Sequence, residues 1–331
     1  MKRITIEDVA KAAGVSRQTV SRAMNDKDEI RPATKARVMA AVETLGYVPN
    51  RLAQAMVTRS TRTVGLIIGD IMNLFFAEVT RGVQDLAQAH DYHVIIYNTD
   101  DDHQGELRAL RSLTAQGVDG ILGFLYNIPD EELTRFVGPN RPLVLINRSF
   151  DHPNVETLIV DNRRGAKLAV DYLLAQGHTH IGMLTHIGHQ PDQVRRVQGY
   201  QEALTNAGIL HERQPIVQGY PTLEGGYQAA KELLTLYPDV TALFAYNDLM
   251  ALGAVQAGRA LDRQIPADLA IVGYDDILFS TLTNPALTTV GVHKYEIGKQ
   301  AMKRFLAIQD KQMINAEFAP IEVELIIRES A

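Results

Sequence analysis

The sequence predicts an α/β fold: a two-lobed core of parallel sheets flanked by helices, carrying a small all-α helix-turn-helix domain at its N-terminus. Three observations predict it. The chain has 331 residues of which 46% are hydrophobic, too many for one compact core. Its charge is divided: residues 1–62 hold twelve Lys or Arg against six Asp or Glu, a balance of +6, and the remainder holds 21 against 33, or −12. From residue 64 onward, short β-branched runs alternate with helical stretches in two successive sets. A basic head on an acidic body is expected when one small module meets phosphate and the rest does not.

The head is built from three helices. Thr5 precedes Ile6, Val9, Ala10 and Ala13 at helical spacing, and Asp8 completes a capping box with Thr5. Gly14 stops this helix, and Ser16 caps the next, Arg17 to Met24, with Val20 turned inward. Two short helices joined at Gly14-Val15 make a helix-turn-helix. A third starts at Pro32 and ends at Gly46, with Val38, Val42 and Leu45 on one face. The outward face of the second helix carries Arg17, Gln18, Ser21 and Arg22. Arginine pairs with guanine and glutamine with adenine in the major groove, so Arg17 and Gln18 are the expected base readers, with Arg22 a further candidate. Ser16 and Thr19 suit phosphate oxygens.

The stretch TIEDVAKAAGVSRQTVSRAMND, followed by ATKARVMAAVETLGYVPNRLAQAM, resembles the DNA-binding headpiece of the lactose/galactose repressor family of bacterial transcription regulators. Arg31 departs from the small capping residue usual before Pro32. In residues 49–63, Asn50 is placed to cap a helix through Val57, which alone is too short to be stable in water. The resemblance implies that this hinge orders on the operator, pairs with its dimer mate, and inserts Met56 into the minor groove where leucine is usual. It carries Thr5, Asn50, Arg51 and Ala53 into the DNA-contacting set, and Arg51, Arg59 and Arg62 are expected phosphate contacts.

In the body, VGLIIG, HVIIYNT, DGILGFL, PLVLINR and TLIVD form one set of strands, and IGMLTH, PIVQG, ALFAYN and LAIVGYD the other. TTVGV and EFAPIEVELIIR are additional crossings. The layout, and the resemblance over residues 63–329, imply a hinged periplasmic-binding-protein-like core. The expected organisation is a headpiece over 1–49, a hinge and linker over 50–62, and an effector-binding and dimerisation core over 63–331. Its first lobe takes about 63–161 and 292–319, and its second about 162–291 and 320–331.

Ligands in such sheets bind at the carboxyl ends of strands. The residues there are polar or aromatic: Asp70 through Asn73 with Phe75 and Phe76, Tyr126 and Asn127, Asn147 and Arg148, Asp161, Thr185 and His186, Asn247 and Asp248, Asp275 and Asp276. They either line a cleft for a small polar ligand or cap the helices that follow. The resemblance implies Arg196 as the effector-binding arginine, Asn247 as the pocket amide and Asp275 as the pocket carboxylate. It puts Arg148 on ligand, Phe75 and Phe76 at the wall of the first lobe, and Tyr220 as the aromatic of the second. Asp161 is assigned either to ligand or to the crossover.

Several chemistries are disfavoured. VGLIIGDIMN lacks GxGxxG, and neither a GxSxG elbow nor a P-loop lysine motif occurs, so no cofactor is expected. The histidines at 178, 180, 186 and 189 lack a metal-ligand spacing, and DDDHQGE, residues 100–106, reads as a solvated helix entry. There are no cysteines, Glu7 and Asp8 stand where a signal peptide needs its apolar core, and no window is long enough to span a membrane. A cytoplasmic homodimer binding double-stranded operator DNA is expected, with an effector that is a sugar, sugar acid or phosphorylated sugar, or a purine. The stretch ILF at 277–279 is a candidate dimer surface; Leu249, Met250, Leu252 and Val255 are assigned to an interface or to the core. No heptad tail follows, so a coiled-coil tetramer is not expected. A transport solute-binding protein and an enzyme with a regulatory head are the competing readings.

Overall fold

The computed structural model describes residues 4–24, 30–48, 60–188, 190–210, 214–310 and 320–331. The chain divides into two compact units, Met1–Thr61 and Arg62–Ala331.

In the first unit, α1 (Ile6–Ala13), α2 (Arg17–Met24) and α3 (Pro32–Leu45) enclose Val9, Ala10, Ala13, Val20, Ala23 and Val38. The Thr5 and Asp8 side chains cap α1 reciprocally, and Gly14 turns the chain in a left-handed conformation with φ 62°. Thr19 N donates to Ser16 Oγ at 3.1 Å, capping α2. Helix α3 starts at Pro32 with no side-chain cap from Arg31.

The second unit contains two lobes. In chain order its elements are β1 (Thr63–Ile68), α4 (Leu74–Ala89), β2 (His93–Asn98), α5 (His103–Ala115), β3 (Gly120–Gly123), α6 (Asp130–Leu133), β4 (Leu143–Ile146) and β5 (Val155–Leu158). There follow α7 (Asn162–Ala175), β6 (Ile181–His186), α8 (Pro191–Asn206), β7 (Ile216–Gly219), α9 (Leu223–Leu236), β8 (Ala242–Ala245) and α10 (Asp248–Ala260). The last are β9 (Ala270–Asp275), α11 (Phe279–Leu282), β10 (Thr288–Val292), α12 (Lys294–Gln309) and β11 (Val323–Ile326). The first lobe has the parallel order β2-β1-β3-β4-β5, and the second β11-β10-β9-β8-β6-β7, parallel except for the antiparallel edge strand β11.

Both faces of each sheet are covered, which is why the strands read as continuous apolar runs. On β1, Val64, Leu66 and Ile68 join the core that includes Phe75 and Val79 of α4 and Met302 and Phe305 of α12, whereas Ile67 faces Leu107 and Leu110 of α5. Helices α4 and α12 approach so closely that a β-carbon on Gly298 would stand 1.9 Å from the Val79 carbonyl oxygen, and one on Gly82 2.0 Å from that of Tyr295. The chain passes between lobes three times: at Ile159–Asn162, between β10 and α12, and at Ile321, which pairs with Val160 as a parallel bridge. Met250, Leu252 and Val255 are buried in the core of the second lobe and serve folding, and Leu249 packs partly buried against the main core.

Candidate functional site

Two surfaces carry the candidate functional side chains. On the headpiece, Arg17, Gln18, Ser21 and Arg22 are all exposed along α2, because Val20 and Ala23 occupy its buried side. Arg17 lies 3.4 Å from Glu7, an exposed pair too weakly held to keep the guanidinium from another partner. Ser16 and Thr19 hydroxyls are 2.9 Å apart at the start of the same helix. Asn50, Arg51, Ala53 and Met56 lie outside the described residues.

The second surface is a narrow cleft between the lobes, with a cavity volume of about 50 Å³. Its first-lobe wall is Asn73, Phe75, Phe76, Asp101, Phe124, Tyr126 and Asn147; its second-lobe wall is His186, Gln190, Asp192, Arg196, Pro221, Tyr246, Asn247 and Asp275. Nearly all follow the carboxyl end of a strand. The aromatic part is fixed edge to face, with Phe76 5.2 Å from Phe75 and 5.1 Å from Phe124 between ring centroids.

Arg196 is the most heavily supported side chain there. Its Nε donates to Asn162 Oδ1 at 2.9 Å, a second nitrogen donates to the Tyr246 carbonyl, and a third lies 3.6 Å from Asp275 Oδ1. The guanidinium stacks over Tyr274 at 3.6 Å and Tyr246 at 4.5 Å. Burial opposes its charge, but Asp275 and the two tyrosines more than offset that and raise its pKa above the ordinary arginine value. Asp275 is buried too; burial pushes its pKa up to about 7 although Arg196 and Lys294 pull it down. Lys294, at the start of α12, donates to the carbonyls of Asp275 at 2.7 Å and Asp276 at 2.6 Å and stands 3.5 Å from Glu78. It holds the pocket carboxylate's backbone from the other lobe.

Asn147 and Asn162 connect the walls. Asn147 Oδ1 accepts from Val160 N at 3.0 Å and from Asn162 Nδ2 at 3.3 Å, and Asn162 in turn accepts from Arg196. Asp192 accepts from Tyr246 Oη at 2.8 Å. Asn247 accepts from Met250 N at 2.9 Å, capping α10, and donates to the Pro221 carbonyl at 3.1 Å, so it both caps and lines.

With this geometry, comparison with known proteins decides the family. Residues 5–50 match the bacterial regulatory proteins of the lacI family, and residues 61–329 match the periplasmic binding proteins and sugar binding domain of that family. The chain belongs to the lacI family. Catabolite control protein A of Priestia megaterium is 33% identical over 99% of each chain. A transcriptional regulator CelR–cellobiose complex superposes with a TM-score of 0.73 at 31% identity, over 99% of this chain and 100% of that one. The Lac repressor dimer bound to operator and the anti-inducer ONPF gives 0.88 at 26% identity, over 99% of both.

For this lacI-family chain the structure brings Asn73, Phe75, Phe76, Tyr126, Arg196, Asn247 and Asp275 into one cleft. Four expected residues lie elsewhere. Arg148 is buried but turned away, donating to the Leu125 carbonyl and pairing with Asp130, while its neighbour Asn147, at φ 62°, faces the cleft. Tyr220 is 67% exposed, beyond the second-lobe wall. Asp70 accepts from Met72 N, and Asp161 caps α7 through Arg164 N, so Asp161 serves the crossover. The DDDHQGE stretch is more than a solvated entry: Asp102 caps α5 and Asp101 lines the cleft. Asp101, Phe124, Gln190, Asp192, Pro221 and Tyr246 were not anticipated. For Asp192 a signal existed, since it precedes Arg196 by four and shares its helix face. Of the histidines, His186 enters the cleft, His178 bonds Thr241 and His180 bonds Thr179, while His189 lies outside the described residues. No helix among the described residues is long and apolar enough to cross a membrane.

Proposed function

We propose that this protein is a transcriptional repressor whose operator affinity is set by a small polar effector, most simply a sugar, held between the lobes. The observation that carries the reading is the cleft itself: Tyr126 and Asn73 reach it from one lobe and Arg196 and Asp275 from the other, so a bound molecule bridges two bodies and favours one lobe arrangement. The family membership and the likeness to the cellobiose-bound and operator-bound regulators support it. In this reading Arg17, Gln18 and Arg22 read base edges, Ser16, Thr19, Ser21 and Thr5 hold the backbone, and Asn50, Arg51, Ala53 and Met56 form the hinge contact. A homodimer presents two headpieces to a pseudo-palindromic site. Leu278, Phe279 and Leu282, exposed at 61%, 47% and 69%, are apolar surface available to the mate, whereas Ile277 is buried in the core.

The test is selection of binding sites from random duplexes, followed by salt-titrated binding with and without sugars. A repressor selects a palindrome, loses roughly 10³–10⁵ in affinity between about 50 and 200 mM salt, and shifts operator affinity roughly 5- to 150-fold with its effector. Equal affinity for selected and scrambled duplexes rules the reading out.

A further inference from the structure

The charge balance of the cleft goes beyond that reading, though it rests on it. Among the described residues lining the cavity, three carboxyl side chains, Asp101, Asp192 and Asp275, face one cation, Arg196. Arg196 is already committed to Asn162, the Tyr246 carbonyl and Asp275. Arg148, the other arginine expected to hold an acid or phosphate, is directed away and paired with Asp130. The two carboxyls that form no ion pair among the described residues come from opposite lobes: Asp101, beyond the end of β2 in the first, and Asp192, in the first turn of α8 in the second.

We infer that the cleft selects a hydroxyl- or amine-bearing ligand without negative charge, whose donors bridge Asp101 and Asp192, and that it excludes phosphorylated and carboxylated molecules. The Asp101 carboxyl packs directly against Gly69, where a β-carbon would stand 2.3 Å from its Oδ1. Burial, then Asp192, then Glu106, Asp70 and Asp100 raise its pKa to about 7. Another anion brought into the same space adds to that cost; a hydroxyl or ammonium donor lowers it. Asp192 is 5% exposed and accepts from Tyr246 Oη and Gln193 N, which fixes its carboxylate facing the cavity. Burial lowers the pKa of His186, leaving a neutral ring. Only 6% exposed, His186 lines the cavity, and its Nδ1 is buried without a hydrogen-bond partner of normal geometry among the described residues. The ring is free to meet a hydroxyl and gives an anion no countercharge.

The experiment uses the full chain with selected operator and reads both melting temperature and operator affinity. Probes are matched sets: glucose, glucosamine, glucose 6-phosphate and gluconate; ribose and ribose 5-phosphate; adenosine and its monophosphate. A bacterial metabolite extract, divided on an anion-exchange resin into unretained and retained fractions, extends the set. Response is expected from unphosphorylated or aminated members and from the unretained fraction. In Asp192→Asn and in Asp101→Asn, the preference for an unphosphorylated probe over its phosphorylated partner should fall roughly tenfold or more. Response confined to the retained fraction, or a preference unchanged in both variants, overturns the exclusion and leaves the effector reading standing. Silence from every probe and both fractions overturns the two together.

Discussion

Replacing Arg196 with methionine removes the cation while keeping most of its volume, and the consequence can be worked from its contacts. Asn162 Oδ1 and the Tyr246 carbonyl lose their donor, and Asp275 loses its nearest countercharge, keeping Lys294 only at its backbone. Breaking a buried pair from one side costs about 3–5 kcal/mol, and at roughly 2 °C per kcal/mol for a domain of this size melting falls by about 6–10 °C. The loss depends on pH in a definite direction. The folded wild type holds a proton on Asp275 up to about 7, well above its ordinary 3.8, so this group's stabilising contribution is lost as pH rises through that window. Without Arg196 the folded pKa climbs further, and the penalty goes on growing above pH 7 where the wild type has levelled off. Between pH 6 and pH 9 the gap between the two proteins should widen by up to about 3 kcal/mol, two pH units at about 1.4 kcal/mol each. Thermal unfolding followed at both pH values measures it. A gap of the same size at pH 6 and pH 9 would refute the assignment of Asp275 as a buried carboxyl balanced by Arg196.

Two further outcomes follow from the same geometry. Arg17→Ala and Gln18→Ala, both exposed on α2, should leave melting unchanged and cost about 1–3 kcal/mol of operator binding each, with relaxed preference at one base position, read by a panel of single-substitution operators. Asp248→Ala strips a fully buried carboxylate from Ile277 N at 2.8 Å, Ser280 Oγ at 2.6 Å and Thr289 Oγ1 at 2.5 Å. A loss of about 3 kcal/mol or more is expected in denaturant unfolding, and Asp248→Asn should recover part of it.

The headpiece was legible because its determinants are local: the Thr5–Asp8 box, the Gly14 turn and the outward Arg17 and Gln18 all act within one or two turns of chain. The strand-end rule found Asn73, Phe75, Phe76, Tyr126, Asn247 and Asp275, since a parallel sheet gathers those ends whatever the loops do. It also named Asn147 and Arg148 together, and Asn147 lines the cleft; the resemblance chose Arg148, which does not. The left-handed backbone at Asn147 turns that amide inward and sends Arg148 to Asp130, a choice set by a partner 18 positions away. Asp101 was hidden for a similar reason, because three consecutive aspartates take three roles: Asp100 accepts from Asn98, Asp101 faces the cleft and Asp102 caps a helix.

One face of the first sheet owes part of its covering to a helix encoded far downstream. Val64, Leu66 and Val144 share their apolar surface with Met302 and Phe305, which lie beyond the whole of the second lobe's parallel strands. On the ribosome, then, the early lobe waits with an oily flank uncovered while residues 159–309 are made, on the order of ten seconds at bacterial translation rates. Neither lobe is a contiguous segment, so neither can be excised by truncation. Nascent chains stalled before Lys294 should be the ones most dependent on chaperones.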